Sequence, residues 1–346
     1  MITYQDAGVD IHQGNTAVER IKKHVARTKT KSVLTNVGGF GSGFSLKEIN
    51  AQYQSPILVQ SMDGVGTKTI VARMADDYHF LGHDLLSACA NDIVVMGAKP
   101  LTILDYLASA HLNSEIIERI IASLSQACCE QGVALVGGEM AQMPDTYVHD
   151  EWDFVGIVTG VVEEKKMITG ERIVENDCVI AFESNGLHTN GFSLARKLLF
   201  EVAGFSIDDT HPESKKKISE LLLAPHLNYT EPVLKLLSHE IDIHGMAHIT
   251  GGGIWDNIPR VLPSHLTVEI NRNSWTIPPI FKWLVELGHL DEKSAYHTFN
   301  MGLGFILMMS EFSWESAQTL LKQYSHIQAV KVGKVVRGNH EVRLIK

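Results

Sequence analysis

The sequence predicts an α/β protein of the α+β type in two domains, each a mixed or antiparallel sheet covered by helices. Three observations lead there. A chain of 346 residues, 45% of them hydrophobic, carries more apolar material than one compact core usually takes. Strand-like and helix-like segments recur in both halves without the regular alternation of a doubly wound parallel sheet. Between the halves, GVVEEKKMITGERIVENDC is charged and turn-rich until apolar patterning resumes at Cys178. That break sets a boundary near residue 170, with an N-terminal domain at 1–169 and a C-terminal domain at 170–346.

The elements follow in order. The first 54 residues are polar and loop-like apart from an amphipathic stretch at 17–25, and they contain the run Gly38-Gly39-Phe40-Gly41-Ser42-Gly43. So much glycine carries a large ordering entropy, and the run fits a mobile lid and a flexible linker equally well. From Pro56, PILVQSM reads as a strand, residues 85–96 as a helix and LTILDYLA as a strand. The next helix, Ser114–Gln131, is the clearest: Asn113 or Ser114 can cap it, apolar residues from Ile116 to Cys128 recur at helical spacing, and Gly132 stops it. VALVGG and DFVGIVTGVV follow as strands. In the second half CVIAFES reads as a strand, 192–202 and 230–237 as helices, and GLGFILMM as a strand. VKVGKVV, a turn at Arg337-Gly338-Asn339-His340, and EVRLI read as a closing hairpin.

Composition narrows the function classes. Forty acidic residues against thirty Lys and Arg give a net charge of -10, which repels a nucleic-acid backbone, and Lys215, Lys216 and Lys217 are too short a run to reverse that. No stretch of about 18 apolar residues offers a membrane span, and the N-terminus lacks a basic start followed by an apolar run, so the expectation is a cytoplasmic protein. Cys89, Cys128, Cys129 and Cys178 show no CxxC spacing, which argues against a disulfide framework or a zinc site and for reduced core thiols.

The chemistry concentrates in a few runs. PILVQSM leads into Asp63-Gly64-Val65-Gly66-Thr67-Lys68: a carboxylate at a strand end, glycines for close backbone approach, then a hydroxyl and an ammonium. Each part suits a metal-bound polyphosphate, although the spacing is not that of a Walker A loop and a plain turn has the same composition. Along the following helix, Asp84, Ser87 and Asn91 fall on one narrow stripe, with Asp92 at its edge, at about 100° per residue. Carboxylates on an otherwise apolar helix need a cation or a hydrogen-bond network to offset their burial. VALVGG delivers another carboxylate, Glu139, beside Gly137 and Gly138. Oxygen ligands from Asp63, Asp84, Asn91, Asp92 and Glu139 would suit magnesium rather than zinc. In the second half, Leu187-His188-Thr189-Asn190-Gly191 sits where a strand gives way to a helix, and Thr250-Gly251-Gly252-Gly253 leaves amides open to a phosphate, with Arg260 beyond. A capping turn and a plain loop are the competing readings. No Ser/His/Asp or Cys/His set suggests covalent catalysis.

YQDAGVD at 4–10, GGFG at 38–41, DGVGTK at 63–68, Asn91-Asp92, GGE at 137–139, Met143-Pro144, and then LHTNG, HITGGG, NIPRVL and FNMGLG occur in one order along essentially the whole chain. In these the sequence resembles the phosphoribosylformylglycinamidine cyclo-ligase, or aminoimidazole ribonucleotide synthetase, family of purine biosynthesis. The resemblance implies ATP-dependent ring closure of formylglycinamidine ribonucleotide to aminoimidazole ribonucleotide, with release of ADP and phosphate. It also implies a homodimer whose N-terminal domains join their sheets, a C-terminal domain that completes the active-site cleft, and a glycine-rich N-terminal segment that covers it. ATP and Mg2+ would be held by Asp63, Gly64, Gly66, Thr67, Lys68, Asn190, Gly251, Gly252 and Gly253 together with the acidic set. Lys68 would screen the transferred phosphoryl group with magnesium, Asp92 would act at the metal, and His188 would handle a proton or orient the substrate.

Met140, Gln142, Asp145 and His226-Leu227 depart from the family pattern, the last standing where Thr-Arg is common. Thiamine monophosphate kinase, selenophosphate synthetase, a hydrogenase maturation factor and formylglycinamidine ribonucleotide synthetase share such acidic sites. The first cysteine being Cys89, the final residue Lys346 and the length of 346 residues set the chain apart from the last three. A catalytically silent nucleotide-binding module is the reading from another class, and turnover separates it.

Overall fold

The computed structural model describes residues 7–36, 38–148 and 150–346; Tyr4, Gln5 and Asp6 of the YQDAGVD run lie outside them. The chain forms two compact units: residues up to 93 with 100–164, and 94–99 with 165–346. The change of unit falls at a short 3-10 turn, Glu164–Lys166. Residues 94–99 also belong to the second unit, a return that no single linear boundary anticipates.

The first unit comprises α1 (Ile11–Arg27), α2 (Lys47–Gln52), β1 (Pro56–Gly64), α3 (Lys68–Met74), α4 (Leu81–Val94), β2 (Lys99–Ser109), α5 (Ser114–Gln131), β3 (Ala134–Gln142) and β4 (Trp152–Glu163). Its sheet runs β1-β4-β2-β3. β1 and β4 pair antiparallel from Pro56↔Glu163 to Gly64↔Val155, while β2 and β3 are parallel. Asn113 caps α5 by accepting from the Glu115 and Ile116 amides, and Gly132 ends it at φ 65°, a left-handed turn that costs glycine least. Gly82 lets α4 cross α5: a side chain there would run into the backbone at Leu124. Of the four free cysteines three are buried, but Cys129 is exposed; being next to Cys128, it points about 100° away around α5.

The second unit comprises β5 (Cys178–Glu183), α6 (Phe192–Arg196), α7 (Ile218–Leu222), α8 (Thr230–Ser238), β6 (Ile243–His248), α9 (Gly253–Asn257), β7 (Leu266–Asn271), α10 (Pro279–Gly288), α11 (Glu292–Thr298), β8 (Leu303–Met309), α12 (Glu311–Leu321), β9 (Ala329–Arg337) and β10 (Glu341–Ile345). The single helix expected over 192–202 is α6 continued by a wider π-helical turn, Lys197–Val202. The six-stranded sheet runs β10-β7-β9-β5-β8-β6. β8 is buried along its whole length, which is why its sequence reads as an unbroken apolar run. Its neighbours Phe182, Tyr229, Met246 and Trp314 share one core with it.

The closing hairpin is corrected by the pairing. β9 and β10 do not touch as neighbours, because β7 lies between them, antiparallel to β9 and parallel to β10. The turn at 337–340 steps over the start of β7 instead. Gly338 N donates to His265 O at 3.0 Å, His340 N to Leu266 O at 2.8 Å and Asn339 N to Thr267 Oγ1 at 3.0 Å. Two adjacent strands joined by a glycine turn have hairpin composition whether or not a third strand slots between them.

Among the described residues no helix is long and apolar enough to cross a membrane.

Candidate active site

Two groups of functional side chains emerge, one in each unit. In the first, β1 ends at Asp63-Gly64, and Asp63 Oδ1 accepts the Gly64 amide at 2.7 Å. Gly66 takes φ 62°, the left-handed geometry that turns the chain into α3. Thr69 holds this turn, donating through N–H and Oγ1 to Gly66 O at 3.3 and 2.9 Å.

Beneath the turn, α4 is buried on nearly every side, as its composition requires, and Asp84, Ser87 and Asn91 are all buried. The stripe has its cation, but from the protein itself. Lys68, fully buried, places Nζ 2.8 Å from the fully buried Asp84 carboxylate. Burial pulls the Lys68 ammonium below its ordinary range, opposed by the Asp84 charge. Lys68 and Asp84, expected on a phosphate and on a metal ion respectively, pair with each other here. α4 carries no Lys or Arg on that stripe, so only packing against α3 reveals the pair.

Asp92 is half-buried, and its Oδ2 accepts from Ser61 Oγ at 3.0 Å. Since alternate residues of a strand share a face, Ser61 and Asp63 put Asp92 and Asp63 on the same, α4-facing side of β1. The other side of β1 carries Met62, beside a cavity of about 520 Å³ that is also lined by α1, residues 38–42, Asp105, Tyr106, Gly137, Gly138 and Glu139. Glu139 therefore belongs to this cavity rather than to the Asp63–Asp92 face. The five residues expected to ligate one ion are split: among the described residues no three carboxylates bring ligand atoms within 4.8 Å of one another.

The glycine run lines one side of this cavity as part of a hairpin-like loop. Leu34 N donates to Gly43 O at 2.9 Å, Ser45 N to Ser32 O at 2.7 Å, and Thr35 and Ser42 hydroxyls meet at 3.1 Å. Asp105, not singled out by the sequence, lies across from Gly138. Burial pushes its carboxyl up to about 7, above the roughly 3.9 of an unfolded Asp. The folded protein thus holds this proton more tightly; the resulting stabilisation is whole below about pH 4 and is lost as pH rises through about 7. Asp105→Asn is expected to flatten the decline of the urea midpoint between about pH 5 and about pH 8. Equal declines for wild type and variant would rule out this origin.

In the second unit three loops meet at one end of the sheet: residues 184–191 after β5, 249–252 after β6, and 299–302 before β8. Asn300 joins two of them, accepting from Ser184 Oγ at 2.7 Å and the Gly302 amide at 2.9 Å and donating to Gly186 O at 2.9 Å. Asn257 secures the Gly251-Gly252-Gly253 loop through Nδ2 bonds to Gly251 O at 3.2 Å and Gly253 O at 2.8 Å. Gly252 and Gly253 both have positive φ, 90° and 59°, and a side chain on Gly253 would overlap the Tyr296 carbonyl. Asn190 Oδ1 lies beside Gly251, so the LHTNG and TGGG runs do come together. Arg260 is exposed on the 3-10 turn Ile258–Val261.

His188 occupies the left-handed region at φ 59°, a costly backbone for a residue other than glycine that often marks functional loops. Its ring is turned inward rather than toward solvent: it is 1% exposed and stacks on His226 at 4.1 Å between centroids. Gly304 leaves room for this, since a side chain there would collide with the Tyr229 hydroxyl and the His188 ring. His226, His248 and Tyr229 escaped sequence reasoning as site residues. The departure of His226 from the family pattern was their one signal.

Two mixed-sheet units with glycine turns and carboxylates at strand ends define a two-domain α/β protein of a fold seen in solved structures. Thiamine-monophosphate kinase from Stenotrophomonas maltophilia K279a superposes with a TM-score of 0.70 at 14% identity, over 95% of each chain. The hydrogenase maturation protein HypE in complex with ATP superposes with a TM-score of 0.67 at 18% identity, over 94% of this chain and 90% of the other. The chain belongs to the AIR synthase related protein family, whose N-terminal domain matches residues 51–162 and whose C-terminal domain matches residues 174–346. Phosphoribosylformylglycinamidine cyclo-ligase of Bacillus cereus (strain Q1) is 42% identical over 335 residues, 97% of this chain and 96% of that protein. The enzyme of the same name from Geotalea daltonii is 45% identical over 310 residues, 90% of this chain and 88% of its own.

Proposed function

We propose that the protein closes formylglycinamidine ribonucleotide to aminoimidazole ribonucleotide at the expense of ATP, releasing ADP and phosphate, in purine biosynthesis. The observation that carries this is the 42% identity to a phosphoribosylformylglycinamidine cyclo-ligase across 97% of the chain. ATP phosphorylates the formyl amide oxygen, an amidine nitrogen attacks the activated carbon, and the C–O bond to phosphate breaks as a proton leaves the ring nitrogen. An amide oxygen is a poor leaving group until phosphorylated, so the protein's task is to position and to screen charge.

Asp63 and Asp92 are the residues we assign to magnesium, which would screen the phosphate oxygens of ATP. Both are half-buried carboxylates on one side of β1, and oxygen-only donors fit that ion. Gly64, Gly66 and Thr67 form the turn against the phosphates. Lys68 acts from beneath, fixing α3 to α4 through Asp84. In the second unit Asn190 and the amides of Gly251 and Gly252 are the groups we assign to ligand binding; the Gly253 amide closes the loop on Thr250 O at 3.0 Å, and His188 positions the LHTNG loop from inside.

The reading includes a cytoplasmic homodimer. Leu58, Met62, Leu104 and Ile157 on the sheet of the first unit are exposed, and exposed apolar side chains of this kind favour burial against a second copy. Sedimentation equilibrium at micromolar concentration is expected to return twice the chain mass. For the activity, a coupled assay is expected to show ADP formation that requires the amidine substrate, with aminoimidazole ribonucleotide accumulating in equal amount. ATP binding without such turnover would instead identify a silent nucleotide-binding module.

A further inference from the structure

His188, which positions the loop at 184–191, forms a buried cluster with His226 and His248, two residues that the ring-closure chemistry does not use. All three are at most 5% exposed, and one ring nitrogen from each lies within 4.8 Å of the others. Among the described residues no other group of three histidines, cysteines or carboxylates does this. His226 Nε2 and His248 Nε2 already stand 3.0 Å apart, while His226 Nδ1 is turned outward to Thr189 Oγ1 at 3.3 Å. Three separate pieces of chain supply the rings: the loop after β5, the loop before α8, and the end of β6.

We propose that these imidazoles bind one divalent zinc-class ion. A tetrahedral zinc with Zn–N bonds of about 2.0–2.1 Å spaces its ligand nitrogens roughly 3.3 Å apart. The His226–His248 separation needs a change of only a few tenths of an ångström, while His188 has to rotate out of its stack on His226 for its in-plane lone pair to reach the same ion. Three nitrogen donors select zinc, or its spectroscopic substitute cobalt, over the hard magnesium ion. Thr189 supplies the outward hydrogen bond that fixes a ligating ring's orientation, and the fourth position is left to water. Histidine at 226 completes the set. The site shares His188 with the loop of the proposed function, but none of its tests uses turnover.

The test is metal analysis of chelator-treated, dialysed protein after addition of equimolar zinc chloride. Wild type is expected to retain one zinc per chain through gel filtration and to melt at a higher temperature than its metal-free form. His226→Gln and His248→Gln are expected to lose the stoichiometric ion while their metal-free melts stay near that of wild type. With cobalt, wild type is expected to develop tetrahedral visible bands that zinc displaces. If a variant fails to fold, the zinc-edge absorption spectrum of wild type decides, with three imidazole nitrogens at about 2.0 Å expected. Wild type that keeps no zinc, zinc retained equally by both variants, or a coordination sphere without imidazole would each overturn the proposal.

Discussion

Lys68→Met is expected to lower the unfolding free energy by roughly 3–5 kcal/mol, the range for breaking a fully buried ion pair from one side. The substitution keeps the stem but strands the Asp84 carboxylate, wholly buried and 2.8 Å from where the ammonium stood. The desolvation of that charge, more than the lost attraction, sets the size of the effect. Lys68→Met combined with Asp84→Leu should recover most of the loss, because two apolar side chains need no compensation there. Urea titrations of wild type and the two variants at neutral pH give the comparison. Equal stability of Lys68→Met and wild type would show that the pair does not hold α3 to α4.

Asp92→Asn should separate catalysis from folding. The side chain keeps its size, and its contact with Ser61 Oγ at 3.0 Å survives with an amide oxygen in place of the carboxylate. What disappears is a negative charge on the half-buried side of β1. If magnesium nucleotide is held there, kcat/KM falls about 100-fold or more, since even outer partners of a metal site are worth 10–100-fold, while the melting temperature changes little. Raising magnesium should recover part of the activity if the lost charge acts through affinity for the ion. Unchanged kcat/KM would remove Asp92 from the metal site.

Much of this architecture was legible in the sequence, for reasons that differ by element. α5 is bounded by side chains that act locally, the Asn113 cap and the Gly132 stop, so its limits can be read without tertiary knowledge. β8 is buried on both faces and its apolar run says so. The paired carboxylate positions on α4 were visible as a conflict between charge and burial. Their resolution was not, because Lys68 comes from another helix. The same limit explains the hairpin: strand composition tells which residues pair, and only the whole sheet tells with whom. Asp63, at the end of β1, and Glu139, inside β3, both stand beside glycine after an apolar run, yet they address different sides of their sheet, and that distinction resides in register rather than in residue type. His226 was noted as a departure from a pattern, but its meaning needed His248 and His188 around it.

The placement of β10 against β7 alone has a further consequence for how the protein coexists with its own copies. An outermost strand exposes a row of unused amides and carbonyls that invite a foreign strand to add on, the first step of polymerisation. Here that border is a short segment, Glu341–Ile345, with Glu341 and Arg343 outward and joined at 2.5 Å. Charged side chains on so short a border disfavour the addition of a foreign strand.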